Sequence, residues 1–564
     1  GYASLNQVLK ITGYASIDKG DGMIFTSIGM KENINAFIEQ DASIKAKTLV
    51  NTKIGFETNG SIIFQVSAQN QGITDAKLME IKGLEESNIK EPSCIQVSVE
   101  DHKVGDLVYS NQVKNFTITI TSTCTSYSSK EFDLHFIYEK QETINGELPR
   151  KTIGEHTSEL VNSSASGTYN YMNGTYLKGN QNSNYVWFDG FLWRIMGKNS
   201  DGNIRMIIEE NVTAIPFHNF SDLDYDNSYP NDWLNNYFYP KLEDKDLLVN
   251  SIWCSEKAEE ATSARTTCTN NLSKVQKPVG LLSLDEYNLS GGISGYLYTN
   301  QNYWTLTDNQ LSDGGSWYID NTGVAISERT GYAIGLRPIV TIKKDVMITG
   351  GSGMITDPFI VGDLNEVTGS LKDHSRVGEY VNYAGRNYRV VETSSSGTKL
   401  ILDGYYDSNN DGVIETSDKI GCCDTLYAFI NEETFINWVS NNNEADKSKL
   451  ISTTWYREFY FDYGDDYKES LESTSRPYVG EIGVIRMGEM LSGQSETILS
   501  KNHTTSSSSS NAQTYWTSNG LWYINLFGSS FEANVYNIVR PVLMISPDVQ
   551  ILGGNGTFNE PYRI

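Results

Sequence analysis

The sequence predicts a multidomain, mainly β protein with α+β parts: an N-terminal β-sandwich over residues 1–140, then two tandem α+β modules over 141–363 and 364–564. Three observations predict it. A chain of 564 residues exceeds what one hydrophobic core holds and implies roughly three or four domains. Its first 140 residues alternate apolar and polar positions with almost no helical periodicity. A stretch of the remainder occurs twice.

The alternating runs are Ile62 to Val66, Ile95 to Val99, Phe116 to Ile120 and Phe132 to Tyr138. Period-two alternation puts one set of side chains on each face of a strand, as a two-sheet sandwich requires.

The repeat is the most informative feature. Gly335-Leu-Arg-Pro-Ile-Val-Thr-Ile, Asp345-Val-Met-Ile-Thr-Gly-Gly-Ser-Gly and Pro358-Phe-Ile-Val return as Ile538-Val-Arg-Pro-Val-Leu-Met-Ile, Asp548-Val-Gln-Ile-Leu-Gly-Gly-Asn-Gly and Pro561-Tyr-Arg-Ile. The offset is 203 from Arg337 to Arg540, from Gly350 to Gly553, from Gly280 to Gly483 and from Glu286 to Glu489. Upstream it is 195, from Gly190 to Gly385 and from Arg194 to Arg389, so the second copy gains a net eight residues between the anchors.

Each module opens on a predicted hairpin, turning in the first copy at Asp189-Gly190. A strand over Ile204 to Ile208 follows Asp201-Gly202. Helical spacing of Trp233, Leu234, Tyr237 and Phe238 predicts a helix behind Asn231 and Asp232. Phe435, Ile436, Trp438 and Val439 do the same behind Asn431, Glu432 and Glu433. Ser283 with Glu286 is a capping box. Each module ends on strands, with Trp304, Trp317 and Ile319 in one copy and Trp516, Trp522 and Ile524 in the other. Matching strand positions make these tryptophans core residues before sugar-stacking platforms. Ser506 to Ser510 reads as a surface loop.

A formal net charge of −26 repels phosphate backbones and anionic membrane surfaces, which argues against nucleic-acid binding. No apolar run approaches the roughly 20 residues that span a bilayer. No signal peptide stands at Gly1, so the chain reads as a mature or trimmed form. Six cysteines fall in local pairs: Cys94 with Cys124, Cys254 with Cys268, and Cys422 beside Cys423. That pattern predicts disulfides and an oxidising, extracellular or cell-surface compartment. The first two pairs are the expected bridges. Cys422-Cys423 is either a vicinal disulfide or two thiols. No Cys-x-x-Cys or clustered histidine suggests zinc.

The sharpest local motif is Asp407-Ser-Asn-Asn-Asp-Gly-Val-Ile-Glu-Thr-Ser-Asp418. Oxygens of Asp407, Asn409, Asp411, the Val413 carbonyl, Glu415 and Asp418 have the spacing that wraps a structural calcium ion, with Gly412 at the sharp turn. A solvated acidic turn is the other reading. Near the start, Leu9, Ile11, Ala15 and Ile17 share one face of an extended strand over 5–17. That strand either opens its own sandwich or enters that of a neighbouring copy.

On Lys10-Ile-Thr-Gly-Tyr-Ala-Ser-Ile, Asp75-Ala-Lys-Leu-Met-Glu-Ile and Asn115-Phe-Thr-Ile-Thr-Ile-Thr, the first 140 residues resemble the matrix and camelysin-like proteins of Gram-positive bacteria processed by a SipW-type peptidase. That resemblance implies a jelly-roll or immunoglobulin-like sandwich, export and fibre formation. Tyr303-Trp-Thr, Trp317-Tyr-Ile and Gly335-Leu-Arg-Pro, with Tyr515-Trp-Thr, Trp522-Tyr-Ile and Ile538-Val-Arg-Pro, make both modules similar to the C-type lectin-like fold of the formylglycine-generating-enzyme superfamily. The reactive cysteines of that superfamily's enzymes have no counterpart here, so the activity does not carry over.

The expected function is a non-enzymatic structural subunit of an extracellular filament, pilus or matrix fibre, with copies of itself as partners. The alternative is a monomeric adhesin for glycan or a host protein. No Gly-x-Ser-x-Gly, Walker loop or His-Glu-x-x-His points to an enzyme.

Overall fold

The computed structural model describes residues 22–564 except 47–48, 71–74, 109–112, 142–150, 220–223, 300, 312–314, 363–366, 412–414, 422–423, 457–465, 475, 487, 490–513, 517–521, 526–529 and 533–535. The chain is mainly β. It divides into two compact units, residues 1–150 with 348–360, and residues 151–347 with 361–564. Apart from residues 348–360, both copies of the repeat lie in the second.

The first unit is built on one long antiparallel hairpin, Met23–Ala46 with Leu49–Asn70. Its second strand is shared. Leu49 to Phe56 pairs with Ser128–Gln141, and Gly60 to Gln69 pairs with Val113–Ser122. Ile95–Glu100 extends the Val113–Ser122 wing, and Asp75–Lys82 then Leu107–Val108 extend the other. One strand carrying two wings curls the sheet so that its apolar faces meet. Ile62, Phe64 and Val66 from the shared strand meet Phe116, Ile118 and Ile120, with Phe132, Leu134 and Phe136 opposite, all buried. The predicted alternation is what produces this: each of these core residues is followed by one on the other face, less buried everywhere but at Thr117. Among the described residues of this unit the one helix is Leu84–Ile89. Cys94–Cys124 ties the start of Ile95–Glu100 to the end of Val113–Ser122.

In the second unit, each repeat builds its own antiparallel sheet core in the same order. In the first copy, Ile339–Ile342, Ile204–Ile208, Phe191–Lys198 and Tyr185–Phe188 lie side by side, and Val279–Gly280 pairs outside Ile339–Ile342. In the second, Val542–Ile545, Gly397–Leu402, Arg386–Ser394 and Tyr380–Tyr383 do the same, with Ile482–Gly483 outside Val542–Ile545. The opening hairpins share a two-residue turn with both residues left-handed: Asp189 and Gly190 at φ 49° and 83°, Ala384 and Gly385 at 51° and 81°. Even the register irregularity repeats, between Ile195 and Gly197 in one copy and between Val390 and Glu392 in the other.

One helix departs from expectation. Its N-cap is Ser228, whose Oγ accepts from Asn231 N at 3.2 Å, so it starts at Tyr229 rather than behind Asn231 and Asp232. Pro230 sits in the first turn, where its missing N–H costs nothing. Tyr229–Trp233 then runs into a π-helical turn, Leu234–Phe238, and a last turn, Tyr239–Lys241. The predicted capping box at Ser283 and Glu286 opens Leu284–Leu289, and Glu433–Val439 starts behind Glu432. Trp304 and Trp317 are buried, their Nε1 groups donating to Ile215 O at 3.0 Å and Ala258 O at 3.1 Å. They are core residues. Trp516 and Trp522 lie on Thr514–Trp516 and Trp522–Asn525.

The copies meet through polar clasps. Trp233 Nε1 donates to Gly488 O at 2.8 Å, and Lys468 Nζ lies 2.7 Å from Asp232 Oδ2. On another face, Arg376 of the second copy lies 3.4 Å from Asp189 of the first and also pairs with Asp244.

The structure describes no helix long and apolar enough to cross a membrane.

Candidate functional site

A buried cation is unexpected in the middle of a core strand, and both copies carry one at the same place. In the first, Arg205 Nη1 lies 2.6 Å from Glu286 Oε1, the two side chains 6% and 2% exposed. In the second, Lys399 Nζ lies 2.8 Å from Glu489 Oε1. Glu286 opens the helix Leu284–Leu289 by accepting the backbone N–H of Ser283 at 3.1 Å, and Glu489 accepts that of Arg486 at 2.7 Å. A tryptophan lies over each cation: Trp253 4.9 Å from the Arg205 guanidinium, Trp455 5.8 Å from Lys399 Nζ. Burial opposes the charge on Lys399, but Glu489 outweighs it and raises the ammonium pKa.

The tryptophans are placed by glycine. A Cβ on Gly280 would collide with the Trp253 ring, and one on Gly483 with the Trp455 ring. Each indole N–H donates to a backbone carbonyl 2.9 Å away, Lys277 O and Gly480 O. An asparagine side chain reads the peptide beside each glycine: Asn235 bonds the N and O of Val279 at 3.2 and 3.1 Å, and Asn431 those of Ile482 at 3.2 and 3.0 Å. Buried polar groups in this number are tolerated only when so paired.

The copies differ in what covers the motif. In the first, the hairpin Thr168–Tyr171 and Gly174–Leu177 pairs with the outer side of Phe191–Lys198, Tyr176 opposite Gly197. Tyr176 reaches across Gly197 to Arg205, 5.5 Å from its ring. Gly197 is required there, because a Cβ would run into Thr175 O and the Tyr176 backbone. In the second copy, the residue opposite Lys399 is Glu392, whose side chain is 51% exposed and lies 3.8 Å from Lys399. Among the described residues a recess of about 250 Å³ lies beside it, lined among others by Glu392, Ser396, Lys399, Thr454, Trp455 and Met544.

The acidic loop lies elsewhere in the second copy. Asp407 Oδ1 accepts from the N–H groups of Asn409 at 3.2 Å and Asn410 at 2.8 Å, and Asn409 Oδ1 from Asp411 N at 3.1 Å. Asp418 is fully buried: Oδ1 accepts from Ser408 N and Oγ, and Oδ2 from Glu415 N. Trp438 Nε1 donates to Asp407 O at 2.8 Å, which pins the loop to Glu433–Val439. Val413 lies outside the described residues. Among the described residues, the one group of three cysteine, histidine or acidic side chains with ligand atoms within 4.8 Å of one another is Cys254, Glu256 and Cys268, and its two sulfurs are already joined to each other. The expected bridges Cys94–Cys124 and Cys254–Cys268 are both formed. Cys422 and Cys423 lie outside the described residues, as do Leu9, Ile11, Ala15 and Ile17.

Sequence reasoning aligned Gly280 with Gly483 and Glu286 with Glu489 without seeing their partners. The signal was a basic residue inside an apolar strand in both copies, Ile204-Arg-Met-Ile-Ile and Thr398-Lys-Leu-Ile-Leu. No family model matches the chain, no curated protein matches it, and no solved structure matches it.

Proposed function

We propose that the chain is a structural subunit of an extracellular bacterial filament or matrix fibre. The N-terminal unit is a β-sandwich that carries two C-type-lectin-like modules, and the role is non-catalytic. Residues 5–17 of one copy, with Leu9, Ile11, Ala15 and Ile17 facing inward, add a strand to the next. The observation that carries this reading is the position of Met23–Ala46 at the edge of the sheet among the described residues. Among the described residues this strand pairs only with Leu49–Asn70. It exposes Met30, Ile34 and Phe37 at 44%, 49% and 48%. An edge strand with exposed apolar side chains is a template for another strand. Register shifts at six places along the hairpin twist the edge and discourage pairing with unrelated strands.

Negative-stain microscopy of the full chain tests it. Long fibres are expected for the wild type, and single particles for a deletion of residues 1–17 and for Ile34→Lys. A wild type that stays monodisperse at one chain mass overturns the proposal.

The loop 407–418 serves in this proposal as a structural calcium site, through Asp407, Asn409, Asp411, the Val413 carbonyl, Glu415 and Asp418. Its spacing and the oxygen-only donor set support this. Asp418 gives three of its four lone pairs to loop donors, so it contributes one oxygen at most. Calcium at 100 times its dissociation constant would add about 2.7 kcal/mol to the folded state. Calorimetric titration should show one site, lost in Asp407→Ala. No binding at millimolar calcium, or equal binding by the variant, removes the assignment.

A further inference from the structure

Each copy of the repeat closes on the same glycine-rich turn, and in the first copy that turn grips an Asp–Pro peptide bond. Ser352 N and Gly353 N each donate to the Asp357 carbonyl at 3.0 Å, and Ser352 Oγ donates to it at 3.3 Å. Gly351 and Gly353 are left-handed, at φ 78° and 83°, a conformation glycine adopts without cost. A Cβ on Gly351 would collide with Pro358 O, so the turn lies in backbone contact with the bond. A carbonyl oxygen has two lone pairs. Three donors aimed at one such oxygen draw charge from its carbon and stabilise the negative oxygen that forms when that carbon is attacked.

The second copy provides an internal control. There Asn555 N and Gly556 N each donate to the Glu560 carbonyl at 2.9 Å, and Gly554 faces Pro561 O as Gly351 faces Pro358 O. The turn therefore belongs to the fold of both copies, and what differs is the residue it holds. An aspartate carboxylate reaches its own carbonyl carbon by closing a five-membered ring. Glu560 has one more methylene and needs a six-membered ring, and Asn555 Nδ2 holds its Oε2 at 2.9 Å. Pro358 has no N–H, so no ladder bond holds its nitrogen. Asp357 is half-buried, with its Oδ2 shut away from solvent.

We propose that the folded chain cuts itself once, between Asp357 and Pro358. The Asp357 carboxylate attacks its own carbonyl carbon, and negative charge gathers on the oxygen that Ser352 and Gly353 face. The C–N bond to Pro358 breaks, and the proline nitrogen takes a proton from water to leave as a secondary amine. The five-membered anhydride left on Asp357 takes up water and opens to two carboxyls. The net change is one water added across one peptide bond, and the balance calls for no other reactant. Nucleophile and target share one residue, so no encounter has to be arranged. The products are residues 1–357 and 358–564, which severs the chain at the end of the first copy. The proposal stands whether or not the chain polymerises.

The test incubates the full chain with protease inhibitors at about pH 5, just above the ordinary carboxylate range, where the carboxylate is charged and protons are still plentiful. Mass spectrometry reads the cut. Two fragments are expected, together one water heavier than the intact chain, the second beginning Pro358-Phe-Ile-Val. The folded chain should be cut at least about tenfold faster than the same chain in urea, because removing even one preorganised donor costs about 10²–10³ in rate. Asp357→Glu, which installs the second copy's residue, should stop the cut, and Glu560–Pro561 should stay whole throughout. Thermal unfolding matching the wild type separates lost chemistry from a lost fold. If Asp357→Glu unfolds, Pro358→Ala keeps nucleophile and donors, leaves a poorer leaving group and should slow the cut. Three results overturn the proposal: a folded chain that stays whole, a folded chain cut no faster than the unfolded one, or Asp357→Glu cut at the same bond at the wild-type rate, the mark of a protease. Fibre formation does not enter the readout, so neither result bears on the filament proposal.

Discussion

Glu286→Ala will destabilise the second unit by about 3–5 kcal/mol, the cost of leaving a buried charge without its partner. The Arg205 guanidinium is 6% exposed and sealed beneath Tyr176 and Trp253, so no water replaces the lost carboxylate. The same change removes the acceptor for Ser283 N and frees the start of Leu284–Leu289, adding a lost cap of about 1 kcal/mol. Glu489→Ala will cost less, about 1–3 kcal/mol, because Lys399 is 15% exposed and keeps Glu392 at 3.8 Å. Urea unfolding of the two variants checks this. Equal losses would contradict a sealed first copy and an open second one.

Much of this architecture was legible because duplication and alternation act locally. The runs at Ile62, Phe116 and Phe132 gave strands with the correct buried faces, and Asp189-Gly190 gave its hairpin, since each depends on neighbours in the chain. The helix behind Ser228 was read three residues late. Asn231 and Asp232 suit an N-terminus as well as Ser228 does, and only the Ser228 Oγ to Asn231 N bond reveals the true start. The buried ion pairs were illegible for a different reason. Arg205 and Glu286 are distant in sequence, and neither the capping box at Glu286 nor the basic residue inside an apolar strand names its partner. Nor could the sequence show that Gly197 and Glu392, equivalent by strand register, mark a covered and an open copy. That difference depends on where the hairpin Thr168–Tyr171 and Gly174–Leu177 lands.

The seam between the copies should make stability fall as pH rises across the mildly acidic to neutral range. Burial pushes the Asp189 carboxyl from 3.8 up to about 6, with backbone donors from Asp244 and Glu243 and the Arg376 charge pulling it back. Burial pushes Glu379 from 4.5 up to about 8, against the N–H of Arg376, the Tyr562 hydroxyl and the Arg376 charge, while the charge of Asp189 pushes it further up. Below their ordinary values both carboxyls are protonated, folded or unfolded. Above those values the unfolded chain has released protons that the folded chain still holds. Unfolding is then favoured by each further rise in pH, until the raised values are passed. For Glu379 the whole effect is at most about 5 kcal/mol, at about 1.4 kcal/mol for each pH interval between the two values. His156, in the same unit, works in the opposite sense. Burial lowers its pKa, so the folded state gains as pH rises towards the ordinary histidine value. The urea midpoint of the second unit should therefore be higher at pH 5 than at pH 8. Glu379→Gln, which keeps the shape and removes the titration, should flatten most of that slope, and His156→Gln should steepen it. A slope unchanged by Glu379→Gln would show that the seam carboxyl is not what couples the fold to pH.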